Sequence, residues 1–174
     1  MTAPYSPSRF ALLFAGIFVL LFAAFEASRG TAFEKFLIRD AILTPTAALV
    51  NYFAPAEALR VDGRTLVTSD SALRVTRGCE GVEMLLLLIA GILAFLASAR
   101  QRLSGFFGGL VLIYALTVAR LALLHFTLRY SPRAWDMLHG LVLSLGPVLL
   151  IALYFLYWSG ACVRLAESPE PDAA

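Results

Sequence analysis

Four apolar runs limit what this chain can become. They cover residues 10–25 (FALLFAGIFVLLFAAF), 82–97, 105–128 and 138–158, and charged or polar residues separate them. A stretch of about 17–25 apolar residues matches the hydrocarbon layer of a bilayer. The expected fold class is mainly α: a polytopic membrane helical bundle. The chain has 174 residues, 60% of them hydrophobic, where a soluble domain runs nearer about 45–50%. Little is left for a separate soluble core, so residues 1–174 read as a single membrane-embedded domain. The first run is at the short end for a span. Only Arg9 precedes it as a basic residue, and no small-x-small cleavage site directly follows. It reads as a retained transmembrane helix, with a cleaved signal as the alternative.

The intervening segments predict smaller elements. Residues 26–40 (EASRGTAFEKFLIRD) put Phe33, Phe36 and Leu37 at helical spacing, the pattern of an interfacial amphipathic helix. Residues 41–54 are short and interrupted by Pro45, which predicts an interfacial or re-entrant segment. In 56–76 the pattern changes to alternation. Leu59-Arg60-Val61 and Thr65-Leu66-Val67 flank Asp62-Gly63-Arg64, and Leu73–Thr76 alternates again. Asp-Gly between alternating segments is a strong hairpin signal, so a small extracytoplasmic β-ribbon is expected, its positive charges a solvated face. Tyr154, Phe155, Tyr157 and Trp158 close the last run as an interfacial aromatic belt. The acid- and proline-rich tail, 165–174, reads as disordered.

Orientation follows from the basic residues. Arg100 and Arg102 mark the short second loop as cytoplasmic, which sets the β-ribbon on the outer, periplasmic side of an inner membrane. The first loop carries seven basic residues and argues the other way, but it is long and nearly charge-balanced. The net charge is +2 with no basic cluster, so nothing points to nucleic acid. Cys79 and Cys162 form no disulfide framework or zinc motif, no phosphate-binding glycine pattern or repeat occurs, and no cofactor is expected.

Chemistry concentrates at Arg77-Gly78-Cys79-Glu80-Gly81-Val82-Glu83, where the second run begins. A helix starting near Cys79 favours its thiolate through free N–H groups and the helix dipole. The bland reading is a small buried residue at a helix crossing. If the last three runs alternate in direction, Cys79, Arg120, His125 and His139 fall at one membrane face. Arg120 lies about 13 Å below Arg129 along a helix, at a depth costing about 2.5–3.5 kcal/mol unless a partner or wet cavity meets it. Glu83, one turn below Cys79, is a candidate partner. His125 lies five residues beyond Arg120 and points elsewhere, as a packing or interfacial histidine. Asp136 precedes His139 by three residues and can orient it. Glu80 reads as a solvated interfacial acid. A thiol, a guanidinium and an imidazole at one point suit acyl transfer.

These residues carry a resemblance. Gly78-Cys79-Glu80-Gly81-Val82-Glu83, Thr117-Val118-Ala119-Arg120-Leu121 and Trp135-Asp136-Met137-Leu138-His139 are similar to the motifs of the exosortase/archaeosortase family, most of all its exosortase H type. The likeness extends over roughly residues 58–158. It implies Cys79 as nucleophile, Arg120 as oxyanion stabiliser and His139 as acid and base. Glu83, Asp136 and Thr117 are supporting; Thr117 stands where relatives carry Asn, and Glu80 where many carry Ser, Ala or Asn. It implies a membrane cysteine transpeptidase or endopeptidase that cleaves exported proteins at a carboxy-terminal sorting signal of motif, transmembrane helix and basic tail. For the exosortase H type the implied motif is Ile-Pro-Thr-Leu-like, followed by Trp-Gly. The product would pass through a thioester to an acceptor in the envelope whose identity the sequence does not give. The other readings are a non-catalytic subunit of an envelope assembly complex, with Arg120–Glu83 as a structural pair, and a small transporter, disfavoured by the absence of an inverted repeat.

Overall fold

The computed structural model describes residues 6–76 and 80–167; within the last helix, the side chains of Asp136, Leu141, Ser144 and 165–167 lie outside that description. Helix α1 (Pro7–Ala27) opens on Ser6, whose hydroxyl accepts from the Arg9 N–H, with Pro7 in the first turn. Its rings Phe10, Phe14, Phe18 and Phe22 stack one turn apart at 5.9–6.5 Å. Helix α2 is continuous over 32–53: α over Ala32–Lys35, π over Phe36–Leu43, α again over Thr44–Phe53. This corrects the expectation of separate segments over 26–40 and 41–54, the second interrupted at Pro45. Proline lacks an N–H, and its ring clashes with the turn before it in an α-helix. Here that turn is widened, and the Thr44 hydroxyl donates to the Arg39 carbonyl at 2.9 Å.

Three antiparallel strands follow in the order β1-β2-β3: Arg60–Asp62, Thr65–Val67 and Ala72–Arg74. The first hairpin turns at Gly63, whose φ of +56° suits a glycine-first two-residue turn. The expected ribbon is therefore present, but it does not stand apart in solvent. Leu66 and Leu73 pair across it and are buried with Leu59, Val75, Ile38, Leu43 and Val50 in one core. Asn51 holds the start of the ribbon from α2, its side-chain amide exchanging two hydrogen bonds with the Leu59 backbone.

Helix α3 (Val82–Ala94) and helix α4 (Ala99–Tyr130) form an antiparallel hairpin closed by a Ser98–Gln101 capping box. The final helix, α5, runs over 135–167 after a short turn at Pro132–Ala134, with π geometry over Leu138–Val142. Glycines let these helices meet. A Cβ on Gly105 would lie 2.6 Å from Trp158, and one on Gly109 would overlap Leu88. Trp158 donates to the Gln101 carbonyl and Tyr154 to that of Gly105. The expected aromatic belt is thus corrected: Trp158 is buried inside the bundle, Tyr154 is partly buried, and Tyr157 faces outward.

Among the described residues, three helices are long and apolar enough to cross a membrane: Pro7–Ala27, Ala99–Tyr130 and Pro132–Arg164. Their outward residues, among them Leu12, Leu20, Val111, Leu149 and Leu156, are exposed and apolar, as a lipid-facing surface requires. The second expected span, residues 82–97, is shorter than its sequence run. Helix α3 has 13 residues, about 20 Å against a core of about 30 Å, because the run unwinds at Phe95. Arg100 and Arg102, expected in a loop, lie in the first turn of α4.

Candidate active site

Helix α4 brings Thr117 against the start of α3. Gly81 begins α3 at φ +76°, and a Cβ there would overlap the Thr117 hydroxyl and lie 3.3 Å from its Cβ. Leu88 opposite Gly109 and Gly81 opposite Thr117 fix one antiparallel register between the two helices. Arg120 lies one turn past Thr117 on α4. Both are buried, Arg120 at 5% exposure within an apolar helix. The Thr117 hydroxyl finds no hydrogen-bond partner among the described residues.

His139 lies in the π turn of α5, its ring parallel to that of Trp135 at 5.2 Å. Together they line a pocket of about 220 Å³ with Leu73–Thr76 of the ribbon and Leu121 and Leu124 of α4. Arg74, Val75 and Thr76 also line a second, more polar pocket on the Arg64 side. The structure therefore brings Thr117 to the α3–α4 contact, buries Arg120 one turn further along α4, and brings His139 to a pocket walled by the neighbour of Arg120 and by the strand that leads to the cysteine segment. Cys79 itself lies outside the described residues, as does the Asp136 side chain.

Three expectations need correction. Glu80 is not a solvated acid; it is 1% exposed and ion-paired with Arg64. Arg64, expected on a solvated face, also donates to Glu34 at 2.7 Å. The hairpin turn aims it back across the start of α3. Glu83 forms no ion pair with Arg120; its Oε2 is buried without a hydrogen-bond partner. Glu34 anchors the network on the other side, accepting from the Gly30 N–H at 2.6 Å and facing Arg29. The Gly30 N–H and then the Arg64 guanidinium hold its carboxyl below the usual range.

His125 is a buried packing histidine, as expected, but a polar one. Its Nε2 lies 3.1 Å from Glu57, which also meets Arg129 and the Tyr130 hydroxyl. Arg129 continues to Asp70 at 2.8 Å. The Tyr130 hydroxyl first, then His125, keeps the Glu57 carboxyl low. This cluster joins the end of α4 to one end of the ribbon, where β1 begins and β2 turns into β3, and leaves the pocket lining to other residues.

Sequence reasoning gave no individual role at the site to Trp135 or Glu57, and placed Arg64 and Arg74 only on the ribbon's solvated face. Only Trp135 carried a readable signal, four residues before His139 on one helix. The chain matches no protein-family model, no curated protein and no solved structure. No group of histidine, cysteine and acidic side chains among the described residues is arranged to hold a metal ion.

Proposed function

We propose that the chain is a polytopic membrane cysteine transpeptidase of the bacterial inner membrane, similar to the exosortases, with its site opening to the periplasm. One observation carries the reading. The His139–Trp135 pocket is walled by Leu121, next to the buried Arg120, and by Thr76, three residues ahead of Cys79. Arg120 is buried one turn past Thr117, which meets the Gly81 start of α3. The exposed apolar surface of the long helices supports residence in a bilayer, and the ribbon with α2 supports a compact cap at one end of the bundle.

In this mechanism the Cys79 thiolate attacks the carbonyl at the scissile peptide of an exported protein. The charge that gathers on the carbonyl oxygen is met by the Arg120 guanidinium. The carbon–nitrogen bond breaks as the His139 imidazolium gives its proton to the departing amine. A thioester joins Cys79 to the amino-terminal product. An acceptor nucleophile then attacks that thioester, His139 takes the acceptor's proton, and the thiolate is released. Trp135 stacks on His139 and limits its rotation; Asp136 supports it from the same turn. Thr117 and Glu83 keep the supporting roles that the resemblance and the spacing assign them.

The alternative is a non-catalytic subunit of an envelope assembly complex, with Arg120 and Glu83 as a structural pair; the ion pairs of the described residues do not include that one. The deciding experiment expresses Cys79→Ser beside wild type in cells carrying a protein with an exosortase H-type sorting signal. Wild type should shorten that protein and form a hydroxylamine-sensitive adduct. Cys79→Ser should insert normally and do neither. Equal processing by both would remove the thiol from the mechanism.

A further inference from the structure

A pocket of about 280 Å³ lies apart from the His139 pocket, between α2 and the first hairpin. Its lining is Glu34, Lys35, Ile38, Arg39, Gly63 and Arg64. Three cations and one carboxylate meet there. Arg64 is neutralised by Glu34 and Glu80. Lys35 and Arg39 are exposed, stand one turn apart on α2, and form no ion pair among the described residues. The surplus charge of the pocket is theirs. Its floor is apolar, built on Ile38 at 2% exposure. Beside it on α2, Phe33 and Phe36 are exposed at 58% and 60%.

We propose that this pocket binds the phosphodiester headgroup of an anionic membrane lipid. Lys35 and Arg39 supply the charge, and the glyceryl region lies over Ile38. A soluble phosphate would satisfy the two cations but gain nothing from Phe33 and Phe36, whereas acyl chains cover those rings. The pocket also holds Arg64, the partner of Glu80, so a lipid there sits one ion pair away from the chain that enters α3. The inference does not depend on the cysteine chemistry.

The test uses the full chain purified in detergent, titrated with phosphatidylglycerol or phosphatidylcholine and read by native mass spectrometry. Each basic side chain near a membrane surface contributes about a fivefold change in affinity. Wild type should hold one phosphatidylglycerol about 25-fold more tightly than phosphatidylcholine. Lys35→Ala/Arg39→Ala should lose that preference, and Lys35→Arg should keep it. Both positions are exposed, and the wild-type comparison stands without any variant. Millimolar inorganic phosphate should leave the bound lipid in place. Equal retention of the two lipids, or undiminished preference in the double variant, overturns the site. Displacement by inorganic phosphate overturns the lipid and assigns the pocket to a soluble phosphate.

Discussion

Replacing Gly81 by alanine tests the contact on which the geometry of the site turns. Two costs arise, and they separate. The backbone at Gly81 has φ +76°, where a side chain costs about 1–2 kcal/mol. The new Cβ would also overlap the Thr117 hydroxyl and press on its Cβ and Cγ2, each at 3.3 Å. Overpacking of that kind costs about 1–3 kcal/mol. The sum is about 2–5 kcal/mol, which for a chain of this size lowers the melting temperature by roughly 4–20 °C. Thr117→Ala removes the hydroxyl and leaves the backbone cost in place. Gly81→Ala made in a Thr117→Ala background should therefore cost only about 1–2 kcal/mol, a coupling of about 1–3 kcal/mol between the two positions. The measurement is a four-member cycle of thermal melts in one detergent, followed by tryptophan fluorescence. An identical penalty in both backgrounds would mean that α4 does not press on the start of α3, and the register argued for Arg120 would fall with it.

Three further outcomes are expected. Glu57 and Glu34 have folded carboxyl pKa values below the usual 4.5; their contribution is complete above that value and is lost as pH falls through the lower folded values. Stability should thus decline in acid, and Glu57→Gln should flatten the decline when melts are recorded between pH 7 and 3. Arg64→Met leaves Glu80 buried without its partner and should destabilise by about 3–5 kcal/mol, while Arg64→Met with Glu80→Met should recover most of that; denaturation of the single and double variants measures it. Arg120→Lys should insert normally yet fail to shorten a sorting-signal substrate, since lysine lacks the planar fork, and retained processing would count against an oxyanion role.

The legible parts of the sequence were those fixed by local rules. Apolar run length gave three long helices, and alternation around Asp62-Gly63-Arg64 gave the hairpin to within one residue, Asp62 falling in the first strand and not in the turn. What the residues could not reveal depends on partners distant in the chain. Glu80 reads as a surface acid at a helix start because nothing nearby neutralises it; its partner, Arg64, arrives on a turn sixteen residues earlier. Glu57 lies 68 residues from His125 and 72 from Arg129, beyond any periodicity. Pro45 misled for a different reason. A proline ends an α-helix by ring clash, but a π turn ahead of it removes the clash, and no residue in 36–43 announces that geometry. The last apolar run ended in aromatic residues that local reasoning assigns to an interface. Gly105 and Gly108 opened space for Trp158 and Tyr154 inside the bundle instead.

Burying Glu34, Glu57 and Glu80 in so apolar a chain has a cost that attraction to their partners offsets only in part. The arrangement makes better sense as positioning. Each acid sits at or near a helix start or short turn, and each meets an arginine from another element. Arg64 fixes the tip of the first hairpin to α2 and to the start of α3. Arg129 fixes Asp70, between the second and third strands, to the end of α4. A three-stranded ribbon of three-residue strands has little rigidity of its own. Held at both turns, and packed through Leu66 and Leu73 onto α2 and α4, it can deliver Thr76 to one place beside His139. Loosening either arginine would let that point wander, and in the proposed mechanism a reacting group displaced by about 1 Å would lose about a hundredfold in rate.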